Sequence, residues 1–102
     1  GIIENNQGNY EQAKNFCEES LALRRELGDK IGISRSLNNF GLVEFNQGNY
    51  EQAQKFFKES ISIKRELGDK RGISNTLSNM GNIALNQGDY EGAQKFLEEG
   101  LQ

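Results

Sequence analysis

NQGNYEQA, at Asn46–Ala53, is the stretch on which the fold turns. The same eight residues stand at Asn6–Ala13, and NQGDYEGA stands at Asn86–Ala93. RELGDK, at Arg25–Lys30, returns at Arg65–Lys70. Each recurrence is displaced by 40 positions. Residues 1–62 laid over 41–102 give about 35 identities in 62 pairs, which marks an internal repeat. The chain reads as one segment of about two and a half units: a partial unit over 1–28, a unit over 29–68, and a truncated unit over 69–102.

Outward from the repeated stretch, each unit reads as two helices. The first runs from Lys30 to Asn46 and again from Lys70 to Asn86. Ile33, Leu37, Phe40 and Val43, like Ile73, Leu77, Met80 and Ile83, recur at helical spacing. The second begins at Tyr10, Tyr50 and Tyr90. In the middle unit it runs to Leu67 with an expected buried stripe of Ala53, Phe56, Phe57, Ser60, Ile63 and Leu67. Gly8, Gly48 and Gly88 are expected to end first helices, and Gly28 and Gly68 second helices. Asp29 and Asp69 suit N-caps, Asn9 with Gln12 and Asn49 with Gln52 read as capping boxes, and Asp89 keeps the cap without a reciprocal partner. Gly41 and Gly81 sit inside first helices, where glycine costs about 1 kcal/mol relative to alanine. Their shared phase implies a close approach, with Ala13, Ala53 and Ala93 as the matching small residues.

Composition excludes several functions. The net charge of −3 offers no basic surface for phosphates and no polybasic patch for an anionic membrane. No apolar run is long enough to span a bilayer. Histidine is absent, which removes the commonest general base and transition-metal ligand. The single cysteine, Cys17, has no partner for a disulfide and no histidine to activate it. It aligns with Phe57 and Leu97 and is expected to be buried between helices. The carboxylates recur with the repeat and read as a solvated face, and no phosphate-binding glycine loop or calcium loop is present. No enzyme, no cofactor and no metal are expected, and the setting expected is cytoplasmic.

Asparagine is the informative excess. Arg35, Asn38, Leu42 and Phe45 or Asn46 share one face of the first helix, with Asn39 at its border. The next unit places Asn75, Ser78, Asn79, Asn82, Leu85 and Asn86 there. Helix surfaces favour residues that propagate helix better than asparagine. Asparagine carries both a donor and an acceptor at fixed reach, and such a ladder suits the backbone of a guest peptide. The alternative is a merely soluble helix surface.

Leu37, Phe40-Gly41, Gly48, Tyr50, Ala53, Phe57 and Ser60 recur as Leu77, Met80-Gly81, Gly88, Tyr90, Ala93, Leu97 and Gly100. This pattern resembles the tetratricopeptide repeat over essentially the whole chain. It departs from the usual unit of about 34 residues. It also lacks the closing proline, and Glu4, Glu44 and Ala84 stand where an aromatic is common. The longer unit resembles that of spindle-orientation adaptors and of bacterial signalling proteins. The resemblance implies an all-α fold, a right-handed superhelical solenoid of antiparallel helical hairpins. Its concave wall of first helices would hold an extended or helical peptide.

Two functions remain in view. One is a protein- or peptide-binding scaffold whose groove is lined by the asparagine-rich face, with an acidic and apolar guest. The other is a structural spacer or self-association segment. Repeat arrays usually carry polar terminal caps. Without them Ile2, Ile3, Phe96 and Leu101 are expected to form sticky ends that favour homo-oligomers, or to be the cut ends of a longer array.

Overall fold

The computed structural model describes the backbone of residues 2–101 and the side chains of residues 9–100. Five helices follow one another: α1 (Ile2–Leu27), α2 (Lys30–Gln47), α3 (Tyr50–Leu67), α4 (Lys70–Asn86) and α5 (Tyr90–Leu101). Each packs mainly on its chain neighbours, α1 on α2, α2 on α3, α3 on α4 and α4 on α5. The principal extents of 42 × 37 × 16 Å make a slab less than two helix diameters thick. The hairpins of the repeat are thus laid side by side.

The turns come from glycine and aspartate. Gly48 (φ +85°) and Gly68 (φ +72°) adopt the left-handed conformation that glycine enters without steric cost, and their amides close the last turns of α2 and α3. Asp29, Asp69 and Asp89 then accept from the amides of Gly32, Gly72 and Gly92 at 2.9–3.0 Å. Asn49 does not follow this pattern. Its side chain makes no cap bond and instead donates to Glu44 Oε2 at 3.0 Å. Glu44 is buried and also accepts from the Tyr10 hydroxyl at 2.8 Å, so the capping box at Asn49 and Gln52 is not formed.

The expected turn at Gly8 is absent as well. Gly8 and Asn9 lie inside α1, which is continuous from Ile2. The backbone hydrogen bonds of an unbroken helix outweigh the small helix cost of one glycine.

Two apolar clusters hold the slab. Cys17 and Leu21 of α1 meet Leu37 and Phe40 of α2, while Ala53, Phe57 and Ile61 of α3 meet Leu77, Met80 and Ile83 of α4. Ile61 was absent from the expected stripe of α3. It is buried, whereas Ile63 is half-buried and Leu67 exposed. Phe96, half-buried, packs against the second cluster. Ile2, Ile3 and Leu101 lie outside the described side chains. The central glycine meets a ring rather than an alanine, for a Cβ on Gly41 would stand 2.6–2.9 Å from Phe57 ring carbons. Serine hydroxyls latch the hairpins. Ser60 Oγ donates to the Ser34 carbonyl at 2.9 Å. One unit on, where Gly100 has no hydroxyl, Ser74 Oγ donates to the Gly100 carbonyl at 2.5 Å.

Candidate functional site

The asparagine-rich face is carried by α2 and α4, whose helical phase sets which side chains reach solvent. On α2, Arg35, Asn39, Leu42 and Asn46 are exposed while Asn38 and Phe45 are half-buried. On α4, Asn75, Ser78, Asn82, Leu85 and Asn86 are exposed and Asn79 is half-buried. Four of these residues come together. Leu42 and Phe45 face Asn79 and Asn82 across a crevice of about 50 Å³ whose floor is Phe57. Apolar surface and amide donors and acceptors thus share one cleft.

The other positions divide. Asn38 Oδ1 lies 3.3 Å from the Thr76 hydroxyl, so it ties α2 to α4. Phe45 packs against Tyr50, ring centroids 5.7 Å apart, and has a core share as well as a site share. Asn39, Leu42 and Asn46 also line a mostly apolar cavity of about 410 Å³ on the other flank of α2, opposite Ala13, Phe16, Cys17 and Ser20 of α1. Arg35 lines a third cavity, about 460 Å³, with Ile31, Ser34, Lys64, Leu67, Asp69 and Gly72. Asn75, Ser78, Leu85 and Asn86 line none of these three.

Two polar groups are buried at the helix interfaces against expectation. Lys64 is buried, and its ammonium donates to Thr76 Oγ1 at 2.8 Å. Burial holds its pKa below the ordinary lysine value, with the nearby Asp69 carboxylate acting in the opposite sense. Glu44, read as part of a solvated face, is buried between Tyr10 and Asn49. Burial pushes the Tyr10 phenol up, and its bond to Glu44 adds to the rise. No local pattern marks Lys64, whose counterpart Arg24 is exposed. Cys17 is buried, as its alignment with Phe57 implied, and burial raises its pKa, with the fields of Glu44 and Glu18 adding. That is the reverse of an activated thiolate. Among the described residues, no three carboxylate or thiol groups converge as metal ligands, and no helix is long and apolar enough to cross a membrane.

Forty-residue helical hairpins with an in-phase leucine, glycine and tyrosine meet the sequence comparison here. The family model for the tetratricopeptide repeat matches residues 1–66 and 32–102. The chain belongs to the tetratricopeptide repeat family. Comparison with curated proteins gives no match. Tetratricopeptide repeats generally mediate protein–protein interactions, and the fold is typically a non-enzymatic scaffold. The missing aromatic has a local explanation. In the middle unit Glu44 takes the place of an aromatic by bonding Tyr10, and one unit on Ala84 fills the position and is buried.

Proposed function

We propose that this tetratricopeptide segment is a non-catalytic scaffold that binds a peptide across α2 and α4. The observation that carries the reading is the crevice in which Asn79 and Asn82 face Leu42 and Phe45. A peptide laid there loses water from its amides, and an unpaired buried group costs about 1–3 kcal/mol. The two asparagine amides replace that water, while Leu42 and Phe45 offer apolar contact. Arg35, exposed on α2 about two turns before Leu42, suits a guest carboxylate through two parallel hydrogen bonds. An acidic and apolar guest therefore fits best, and the net charge of −3 places nucleic acid and anionic membranes outside the reading. Titration calorimetry with acidic-apolar peptides tests it. Asn79→Ala with Asn82→Ala is expected to weaken binding about tenfold or more, or about 1.4 kcal/mol, with the helical circular dichroism unchanged. Equal affinity in that variant would show that the guest does not use this crevice, and no binding by the wild type would favour a spacer or self-association element.

A further inference from the structure

Lys64 is a buried cation that the chain leaves without a counter-ion. Its repeat counterpart, Arg24, is exposed and pairs with Asp29 at 2.8 Å. Asp69 stands where Asp29 does, yet Lys64 bonds Thr76 at the junction of α3 and α4 instead. Its stem passes over Gly72, where an added Cβ would stand 3.0 Å from Lys64 Cδ. Among the described residues no carboxylate comes within ion-pair distance of the ammonium. An ammonium has three hydrogens to donate. One goes to Thr76 Oγ1 at 2.8 Å, and the Gly72 carbonyl lies at the limit, 3.5 Å. A buried charge is ordinarily paired, because the desolvation cost of an ion exceeds what neutral partners return.

The same lysine lines the cavity of about 460 Å³ between the start of α2, the end of α3 and the start of α4. That volume falls in the range of about 300–1,000 Å³ typical of small-molecule pockets. Ile31 and Leu67, both exposed, make its wall mostly apolar. Its charged lining is Arg35 and Lys64 against Asp69, one positive charge in excess. Asp69 is already engaged, since its Oδ1 accepts from the Gly72 amide at 2.9 Å. Arg35 forms no ion pair among the described residues. The excess charge calls for one anion, and the wall calls for an apolar body attached to it.

We propose that this cavity binds a small carboxylic acid with an aliphatic body, of the size of octanoate. The carboxylate takes the remaining Lys64 hydrogen and reaches Arg35, and the alkyl chain lies along Ile31 and Leu67. Two cationic donors select a carboxylate over a neutral amide, since hydrogen bonds between ions are about twice as strong as neutral ones. Asn79 and Asn82 line the peptide crevice and not this cavity. The site shares Arg35 with the peptide reading and does not rest on it.

The probe is sodium octanoate, added to the whole chain and followed through the amide shifts in its NMR spectrum. Saturable shifts centred on Ser34, Arg35, Leu67 and Gly72 are expected, with Kd below about 1 mM. Octanamide has the same body and no charge, and acetate has the charge and no body. Each is expected to bind at least about tenfold more weakly. Lys64→Met keeps an apolar stem, removes the charge and is expected to weaken octanoate binding about tenfold or more. Leu67→Asp, at an exposed position, leaves Lys64 in place, sets a second carboxylate in the wall and is expected to weaken it as much. Asn79→Ala with Asn82→Ala is expected to leave it unchanged, so this site and the peptide crevice fail separately. No saturable shift at that concentration, equal binding of octanamide, or equal binding by Lys64→Met or Leu67→Asp overturns the proposal. A peptide ending in leucine offers the same chemistry from another source. If it displaces octanoate and binds more tightly, the cavity belongs to a chain terminus and the small-acid assignment falls.

Discussion

Gly41 and Gly81 occupy one repeat position, yet they face different neighbours. A Cβ on Gly41 meets the Phe57 ring at 2.6–2.9 Å, and that ring is fully buried with no room to retreat. A Cβ on Gly81 meets Leu97 at 3.1 Å, and Leu97 is 39% exposed and free to swing outward. Alanine gains about 1 kcal/mol of helix propensity at either site. Overpacking a rigid core costs about 1–3 kcal/mol, so Gly41→Ala is expected to be destabilising on balance. At Gly81 the neighbour moves, and Gly81→Ala is expected to be neutral or stabilising. Urea midpoints of the two variants, compared at unchanged slope, decide the point. Opposite signs support steric control by the facing side chain. A common sign would mean that propensity alone governs this position.

At the scale of elements, Lys64 is a buried charge that joins α3 to α4 by a hydrogen bond. Its ammonium reaches Thr76 Oγ1, and Thr76 in turn lies within hydrogen-bond reach of Asn38 on α2. Its folded pKa lies below the unfolded value of 10.5, first because it is buried. Between the two values the unfolded chain binds more protons, so this group makes stability rise with pH until about 10.5. Tyr10, whose folded pKa is raised, acts oppositely above the ordinary tyrosine value. Lys64→Met removes the first contribution and keeps the second. Measured by urea at about pH 8 and about pH 10.5, the variant is expected to gain relative to the wild type at the lower pH and lose that advantage at the higher. A constant difference would sink this account.

The elements themselves were legible because turn and cap residues act locally: Gly48, Gly68, Asp29 and Asp69 do what their types dictate. Asn49 was misread because a cap competes with tertiary partners, and Glu44, from a helix apart, takes its amide. Gly8 was misread because a single glycine costs a helix only about 1 kcal/mol and does not by itself end it. The asparagine face was legible as a pattern. Which of its members share a cleft was not, since that depends on the spacing between α2 and α4.

Across the whole molecule, stability in a stacked array is a sum of unit terms and nearest-neighbour interfaces. α3 is bound on both sides, by α2 through Phe56 and Phe57 and by α4 through Phe57 and Ile61. α1 and α5 are each held mainly from one side, α1 by α2 and α5 by α4. Opening either outer helix breaks one interface, whereas opening α3 breaks two. Native-state hydrogen exchange is therefore expected to rank α2, α3 and α4, each packed on two neighbours, above α1 and α5. Equal exchange in all five helices would mean that they open as one cooperative unit rather than from the ends.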